Sequence, residues 1–304
     1  MLNTHWSQYW SHGHTTSFRE QFDTGYEKQI KDFWRNSLRP FDMTRSILDI
    51  GTGNGGLIQL LNRICAVKHQ YTGIDSALIN PVITSPSIHF KSQTQAENLN
   101  MGKNSVDLAV SQFGFEYSDF NLSVGQIKSA LRPGGQLIVM MHHHLSEITL
   151  DTEHTLAAIE ICHHRLKLLE KTSALLSAME HTRNDELTLS RLRRTLNRTT
   201  SHIELSRRQD CVAYNRFADF YIAACLAVFE QKSIMHPQQQ IKMLRDEITA
   251  YEARMKDMHQ ASLNPEKVVQ LKKLLQQSGF LEVVVEEFDL NQHIFAYTLK
   301  ATNG

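Results

Sequence analysis

The chain reads as a doubly wound α/β fold: a mostly parallel seven-stranded sheet with a large all-helical insertion after the fifth strand. Three observations predict it. Between Ser46 and His142, short apolar runs alternate with segments of helical period, the pattern of parallel strands with both sheet faces covered. The first run ends in a glycine-rich turn, Gly51-Thr-Gly53-Asn-Gly-Gly56. After a long, glycine-poor helical stretch, two β-rich runs close the chain across a short turn, which makes that last pair antiparallel.

The elements follow in order. Trp6, Tyr9 and Trp10 lead into SFREQFDTGYEKQIKDFWRNSL, where Phe18, Phe22, Tyr26, Ile30 and Phe33 or Trp34 recur at helical spacing until Pro40. SILDIG is the first strand and GLIQLLNRICAV the helix leaving the glycine turn. QYTGID is the second strand, SIHFKSQ the third and SVDLAVSQ the fourth. SVGQIKSALRPGG is expected as a helix closed by its Pro-Gly-Gly turn, and QLIVMMH as the fifth strand. Helix then dominates to about Ser262. PEKVVQLKKLLQQSG adds a helix with Gly279 as C-cap, and FLEVVVEEF and HIFAYTLKA are the last two strands, joined by DLNQ.

Three regions are expected: a helical lead or lid over residues 1–45, a ligand-binding α/β domain over 46–150 and 263–304, and a helical insertion over 151–262. The 304 residues suffice for a full core. Lys plus Arg and Asp plus Glu both number 32, so no global charge points to a nucleic-acid partner, and no DNA is expected. No apolar stretch approaches a membrane span and no signal peptide is expected. Cys65, Cys162, Cys211 and Cys225 lack metal-ligand spacing, which makes a reducing, cytoplasmic setting the default.

The glycine turn permits positive φ and close approach of a ligand to the backbone. Taken alone, G-x-G-x-x-G is a weak dinucleotide signal. Asp49 alters its meaning, because a carboxylate there disfavours a pyrophosphate and suits a ligand bearing ammonium and sulfonium charges.

Asp49-Ile-Gly51-Thr-Gly53-Asn-Gly55 resembles the first motif of the class I S-adenosylmethionine-dependent methyltransferases, an acid followed by x-G-x-G-x-G. YTGID places Asp75 at the end of the second strand, where the family holds the ribose hydroxyls. Gln95-Ala96-Glu97 resembles the triplet beside the adenine, with Gln95 where Asp is commoner. LRPGGQLIV and the closing hairpin are also family habits. The resemblance covers roughly residues 40–145 and 263–302. It implies a Rossmann-like methyltransferase fold, S-adenosylmethionine as cofactor, and cofactor contacts from Asp49, Gly51, Thr52, Gly53, Gly55, Asp75, Ser76, Gln95, Ala96 and Ser111.

Methyl transfer is an in-line displacement, so the main task is to hold acceptor, methyl carbon and sulfur collinear in a dry site. Ser111-Gln-Phe-Gly114 departs from the Asn- or Asp-Pro-Pro-Tyr motif of amine and amide acceptors and is closer to branches with small organic or lipid-like acceptors. Phe113 and Phe115 are candidates for its walls, Tyr117 for an acceptor anchor, and Glu116 and His142 for the catalytic groups. Successive residues at a strand end point in opposite directions, so His142-His143-His144 is not expected to hold a metal. His163 and His164 are expected on a helix surface. Trp6, Tyr9 and Trp10 read either as a lid or, preferably, as a staple fixing their helix.

Within the insertion, VAYNRFADFYIAACLAVF is apolar nearly all round and is expected as a buried central helix, with Arg216 and Asp219 inside it. Arg191, Arg193, Arg194, Arg198, Arg207 and Arg208 form a basic stretch, most simply a solvated face. The insertion is expected to cap the site and shape the acceptor pocket, and to be the surface of any homodimer. Two rival functions remain at this stage: a protein or RNA acceptor docked through the insertion, and a non-catalytic S-adenosylmethionine-binding regulator. A nicotinamide oxidoreductase is the weakest rival, because Asp49 and the terminal hairpin argue against it.

Overall fold

A computed structural model describes residues 4–16, 28–39, 43–181, 185–230 and 235–304. Two short helices lead, α1 (Thr4–Ser11) and α2 (Lys28–Leu38). The helical positions expected at Phe18, Phe22 and Tyr26, and the stop at Pro40, lie outside the described residues. The alternating region follows as β1 (Ser46–Ile50), α3 (Gly56–Ile64), β2 (Gln70–Ile74), β3 (Ile88–Lys91), β4 (Val106–Gln112), α4 (Phe120–Ala130) and β5 (Leu131–His142). After the insertion come α10 (Pro265–Gln277), β6 (Phe280–Leu290) and β7 (His293–Asn303), α5 to α9 being the insertion's own helices, given below.

The seven strands form one sheet in the order β3-β2-β1-β4-β5-β7-β6. Every pairing from β3 to β5 is parallel, and β7 runs antiparallel to both its neighbours. The chain winds outward from β1 to β3, then crosses back to β4 on the other side of β1. That reversal opens a crevice beyond the carboxyl ends of β1 and β4, the natural ligand site of such a sheet. The central strands are apolar on both faces: Leu48, Ala109, Leu137, Val139 and Leu299 are all 0% exposed. The edge strand β6 carries exposed Glu282, Glu286 and Glu287, charges that discourage pairing with another chain.

Two local features differ from expectation. Pro133-Gly134-Gly135 does not close a helix. α4 ends at Ala130, and Arg132 to Gly135 loop out within β5, where the register steps from Val106↔Leu131 to Leu108↔Gln136. Gly134 takes φ +76°, and a Cβ on Gly135 would lie 2.8 Å from the Arg132 carbonyl oxygen, so the glycines serve a bulge. The final hairpin is also tighter than DLNQ suggested: Leu290 pairs with His293, and Asn291 and Gln292 turn at φ 53° and 69°.

The chain divides into two compact units, residues 1–147 with 260–304, and residues 148–259. The helices of the insertion are α5 (Glu147–Ile159), α6 (Leu168–His181), α7 (Glu186–Leu205), α8 (Val212–Ala227) and α9 (Pro237–Ala261). In the first unit, Leu263 pairs with His143, donating its N–H to the His142 carbonyl at 2.9 Å and accepting from His144 N–H at 3.0 Å. The chain thus leaves and re-enters at the carboxyl end of β5.

The second unit has its own core, in which Ile159, Cys162, Leu168, Leu169, Ile203, Tyr214, Tyr221 and Cys225 are 0% exposed. α8 is one-sided rather than buried all round: Tyr214, Phe217, Tyr221 and Cys225 face in, while Phe220 is 53% exposed. Arg216 and Asp219 lie on the outer face, and Asp219 pairs with Arg207. A π-helical turn, Glu160–Arg165, follows α5, and within it His163 faces inward, four residues after buried Ile159. His163 is therefore not a surface residue; its Nδ1 lies 2.6 Å from the Tyr221 hydroxyl, and burial holds its pKa below the ordinary value. His164 remains exposed, beside Glu252.

Candidate functional site

The glycine turn joins β1 to α3 with Gly51, Gly53 and Gly55 at φ 69°, 53° and 89°. Each φ lies in the region that L side chains rarely adopt, and each glycine is also pressed from outside. A Cβ on Gly51 would stand 2.6 Å from the Gly114 Cα, on Gly53 2.5 Å from the Trp10 ring, and on Gly55 2.7 Å from the Phe90 ring. The loops after β1 and β4 thus cross backbone to backbone at Gly51 and Gly114.

Two buried carboxylates stand behind this turn. Asp49 is 1% exposed and accepts a hydrogen bond from Thr52 Oγ1 at 2.6 Å. Burial pushes its pKa up to about 7; the Thr52 bond opposes the shift and the charge of Asp75 adds to it. Asp75 accepts from Gly53 N–H on Oδ2 at 2.9 Å and from Ala77 N–H on Oδ1 at 2.8 Å. Burial raises it to about 6, against those two bonds. Gly73 completes the arrangement, since a Cβ there would meet Thr52 Oγ1 at 2.7 Å.

The opposite wall is the segment after β4. Ser111 is fully buried; it donates to the Ile50 carbonyl at 2.6 Å and accepts from Phe115 N–H at 2.9 Å. Phe113 holds φ 58°, and Gln112 accepts from the Trp34 indole at 2.6 Å. Glu116 accepts on one oxygen from the His142 backbone N–H at 2.9 Å, and the same oxygen lies 2.7 Å from His142 Nδ1. Both side chains are sealed, at 0% and 1% exposure, with the Phe113 ring 4.5 Å from the imidazole.

The N-terminal helix forms the roof. Trp6 and Trp10 stack at 6.2 Å, and Trp6 meets Tyr117 edge-on at 5.8 Å. Asn54, inside the glycine turn, is 2% exposed and fastens this roof. Its amide donates to the Trp10 and His14 carbonyls at 2.9 and 2.7 Å, and its carbonyl accepts from Asn80 N–H at 2.7 Å. Ser7 adds an acceptor for Leu78 N–H at 2.9 Å.

These walls form an open cleft lined among others by Trp6, Trp10, Asp49, Thr52, Asp75 and Tyr117. Aromatic walls with a few convergent polar groups suit a small-molecule ligand. Of the cofactor contacts expected from the sequence, Asp49, Gly51, Thr52, Asp75 and Ser76 line it, as do Phe113 and Tyr117 among the acceptor candidates. Gly53 lies beneath Trp10, and Gly55 is the residue before α3. Ser111 spends its hydroxyl on joining the two loops. Gln95 is exposed and Ala96 belongs to the core, and neither lines the cleft. Glu116 and His142 meet, but behind the wall made by Phe113 and Tyr117.

The histidine triplet diverges only in part, since the His143 and His144 rings lie side by side, 4.7 Å apart. His143 accepts from Leu145 N–H at 3.0 Å and packs its ring 4.2 Å from that of Tyr297, while His142 turns to Glu116. Among the described residues no group of His, Cys, Asp and Glu could hold a metal ion. Sequence reasoning missed Asn54, Gly73 and Gly114, the residues that fasten and space the loops.

A family model described as a methyltransferase domain matches residues 18–199, more than half of the chain. No curated protein sequence matches it. Solved structures similar to it include phosphoethanolamine N-methyltransferase 2 of Haemonchus contortus with S-adenosylmethionine, 12% identical over 94% of this chain and 55% of that one, TM-score 0.45. The 1,6-didemethyltoxoflavin N1-methyltransferase of Burkholderia thailandensis with S-adenosylhomocysteine is 11% identical over 99% and 86%, TM-score 0.45. An S-adenosylmethionine-dependent methyltransferase of Mesorhizobium loti is 20% identical over 36% and 52%, TM-score 0.31. This chain spans 52% to 62% of the length of that and two other such structures. At these values the likenesses carry no argument of their own, and the family match is what places the protein. The chain belongs to the methyltransferase-domain family, in the class I S-adenosylmethionine-dependent group that its motifs resemble.

Proposed function

We propose that the protein moves a methyl group from S-adenosylmethionine to a small organic or lipid-like acceptor. The observation that carries this reading is the cleft itself, where two buried carboxylates of raised pKa face a wall of aromatic side chains. The carboxylates suit a ligand with ammonium and sulfonium charges, because such charges favour their ionised forms. Asp49, Thr52 and the glycines would hold the methionine end, and Asp75 with Ser76 the ribose. Asp75 can still accept from ribose hydroxyls, since a carboxylate offers about four lone-pair sites and two are in use. Gln95 and Ala96 are kept as adenine contacts by their place in the motif order alone.

Phe113 and Tyr117 form the wall nearest the acceptor, and the sealed Glu116–His142 pair holds their loop to the end of β5 rather than touching the acceptor. The proton-free part of the reaction needs little more than alignment: the acceptor's lone pair forms the new bond as the carbon–sulfur bond breaks, and the sulfonium charge is neutralised. In the same reading residues 1–45 act as a lid, 46–150 and 263–304 hold the cofactor, and 151–262 select the acceptor. All four cysteines are free thiols, which suits the reducing, cytoplasmic setting proposed for it. Among the described residues no helix is long and apolar enough to cross a membrane.

The acceptor class is tested by incubating the protein with methyl-labelled S-adenosylmethionine and a fractionated extract. Label is expected in the small-molecule or lipid fraction. Label confined to protein or RNA would contradict the acceptor class.

A further inference from the structure

The insertion carries a surface that the cleft does not use. α7 is 20 residues long and buries Leu189, Leu196, Thr199 and Ile203. At about 100° per residue these four fall on one side of the helix, and the opposite side presents Leu187, Arg191, Arg194, Arg198 and Leu205 within an arc of about 60°. All five are exposed, the two leucines at 81% each. The acids of the helix do not share the stripe: Glu186 and Glu204 sit about 100° round the axis, on the flank that carries Arg193.

The arginines are also uncommitted. Elsewhere in this unit Arg165 pairs with Glu160 and Arg207 with Asp219. Among the described residues, Arg191, Arg194 and Arg198 form no ion pair with a carboxylate. Arg194 Nε reaches only the Ser190 carbonyl, at 3.4 Å. The Asp185 carboxyl at the helix start is bound first by the Thr188 hydroxyl and backbone N–H, with the charge of Arg191 the least of the influences on it.

A solvated basic face needs no leucine at either end. Here two aliphatic side chains about 27 Å apart along the axis bracket three cations on the face opposite the buried one. A matching surface must offer anions between two apolar footholds along a straight line. Nucleic acid supplies the phosphates and little apolar depth for the leucines. A second α7 laid against the first would set arginine against arginine. A layer of anionic lipid headgroups supplies both, phosphate or carboxylate for the guanidinium groups and the acyl boundary for the leucines.

We propose that the Leu187–Arg191–Arg194–Arg198–Leu205 stripe is a docking surface for an anionic lipid layer, holding the protein reversibly at a membrane surface. The contact is short, so attachment is weak and sensitive to salt. The proposal stands apart from the acceptor assignment and does not depend on it.

The test is co-sedimentation of the purified full-length protein with vesicles of phosphatidylcholine alone and of phosphatidylcholine mixed equally with phosphatidylserine, at low and high salt. The expected result is binding to the mixed vesicles that falls about a hundredfold in R191Q/R194Q/R198Q and is lost at high salt. In L187S/L205S it should fall about tenfold, since apolar burial adds to the electrostatic attraction. Equal binding to both vesicle types, or binding unchanged in the arginine variant, would overturn the proposal. So would tighter binding to a polyuridine RNA than to the mixed vesicles. Loss in the arginine variant with none in the leucine variant would reduce the stripe to a general polyanion surface and overturn the lipid assignment.

Discussion

Asp49 and Asp75 place two carboxyl groups where water is nearly excluded, and the fold bears the consequence. Asp49 titrates near pH 7 in the folded chain against 3.8 ordinarily, so the folded state keeps a proton that the unfolded state releases. Stability from this group therefore falls as pH rises from about 4 towards 7 and is level above that. Asp49→Asn removes the liability while keeping an acceptor for Thr52. Its melting temperature is expected to equal that of the unaltered protein near pH 4 and to exceed it above pH 7, the gain being a few kcal/mol at most, at about 1.4 kcal/mol per pKa unit. A variant less stable than the parent at pH 8, followed by thermal melting, would contradict this. The same carboxyls were legible in the sequence from their places at the ends of the first two strands. Asn54 and Gly73 were not, because motif patterns leave those positions open, and only the packed fold shows that one ties down the roof and the other makes room for Thr52.

Among the elements, α1 is the clearest gain over the sequence. The spacing of Trp6, Tyr9 and Trp10 favours a staple that fixes their helix, and in the structure Trp6 and Trp10 also line the cleft, with Trp10 against Gly53. Aromatic spacing reveals that a helix has an apolar face but not what the face covers, which here depends on a bond from Asn54 across the chain. Asn54→Ala takes one donor from each of the Trp10 and His14 carbonyls and the acceptor from Asn80 N–H, leaving the Trp10 carbonyl only its bond from Gly13 N–H. The expected cost is about 1–3 kcal/mol, concentrated on the attachment of residues 4–16. Hydrogen exchange should show those residues opening well before the sheet, and protection equal to the parent's would show that the roof is held by its rings alone. The π-turn at Glu160–Arg165 was equally invisible, since Cys162 and His163 fall three and four residues after buried Ile159, as on an ordinary helix. α8 misled in the opposite way, because an abundance of alanine and aromatic residues raises mean hydropathy without fixing which side is buried.

At the scale of the whole molecule, the alternation of strand and helix, the glycine turn and the closing hairpin were enough to give the sheet its seven strands and its reversal of winding. They could do so because each is a local signal, a period or a turn, that the packed sheet reinforces. The cleft was only half legible. Its acidic, glycine-rich side follows from adjacent residues, whereas its aromatic side and roof are assembled from segments distant in sequence. The proposed hold of Asp75 on S-adenosylmethionine in this cleft is open to calorimetric titration with S-adenosylmethionine, S-adenosylhomocysteine and NAD. The first two are expected to bind, NAD is not, and Asp75→Ala is expected to lose binding. Binding of NAD instead, or of neither methionine-derived compound by the intact protein, would refute that hold.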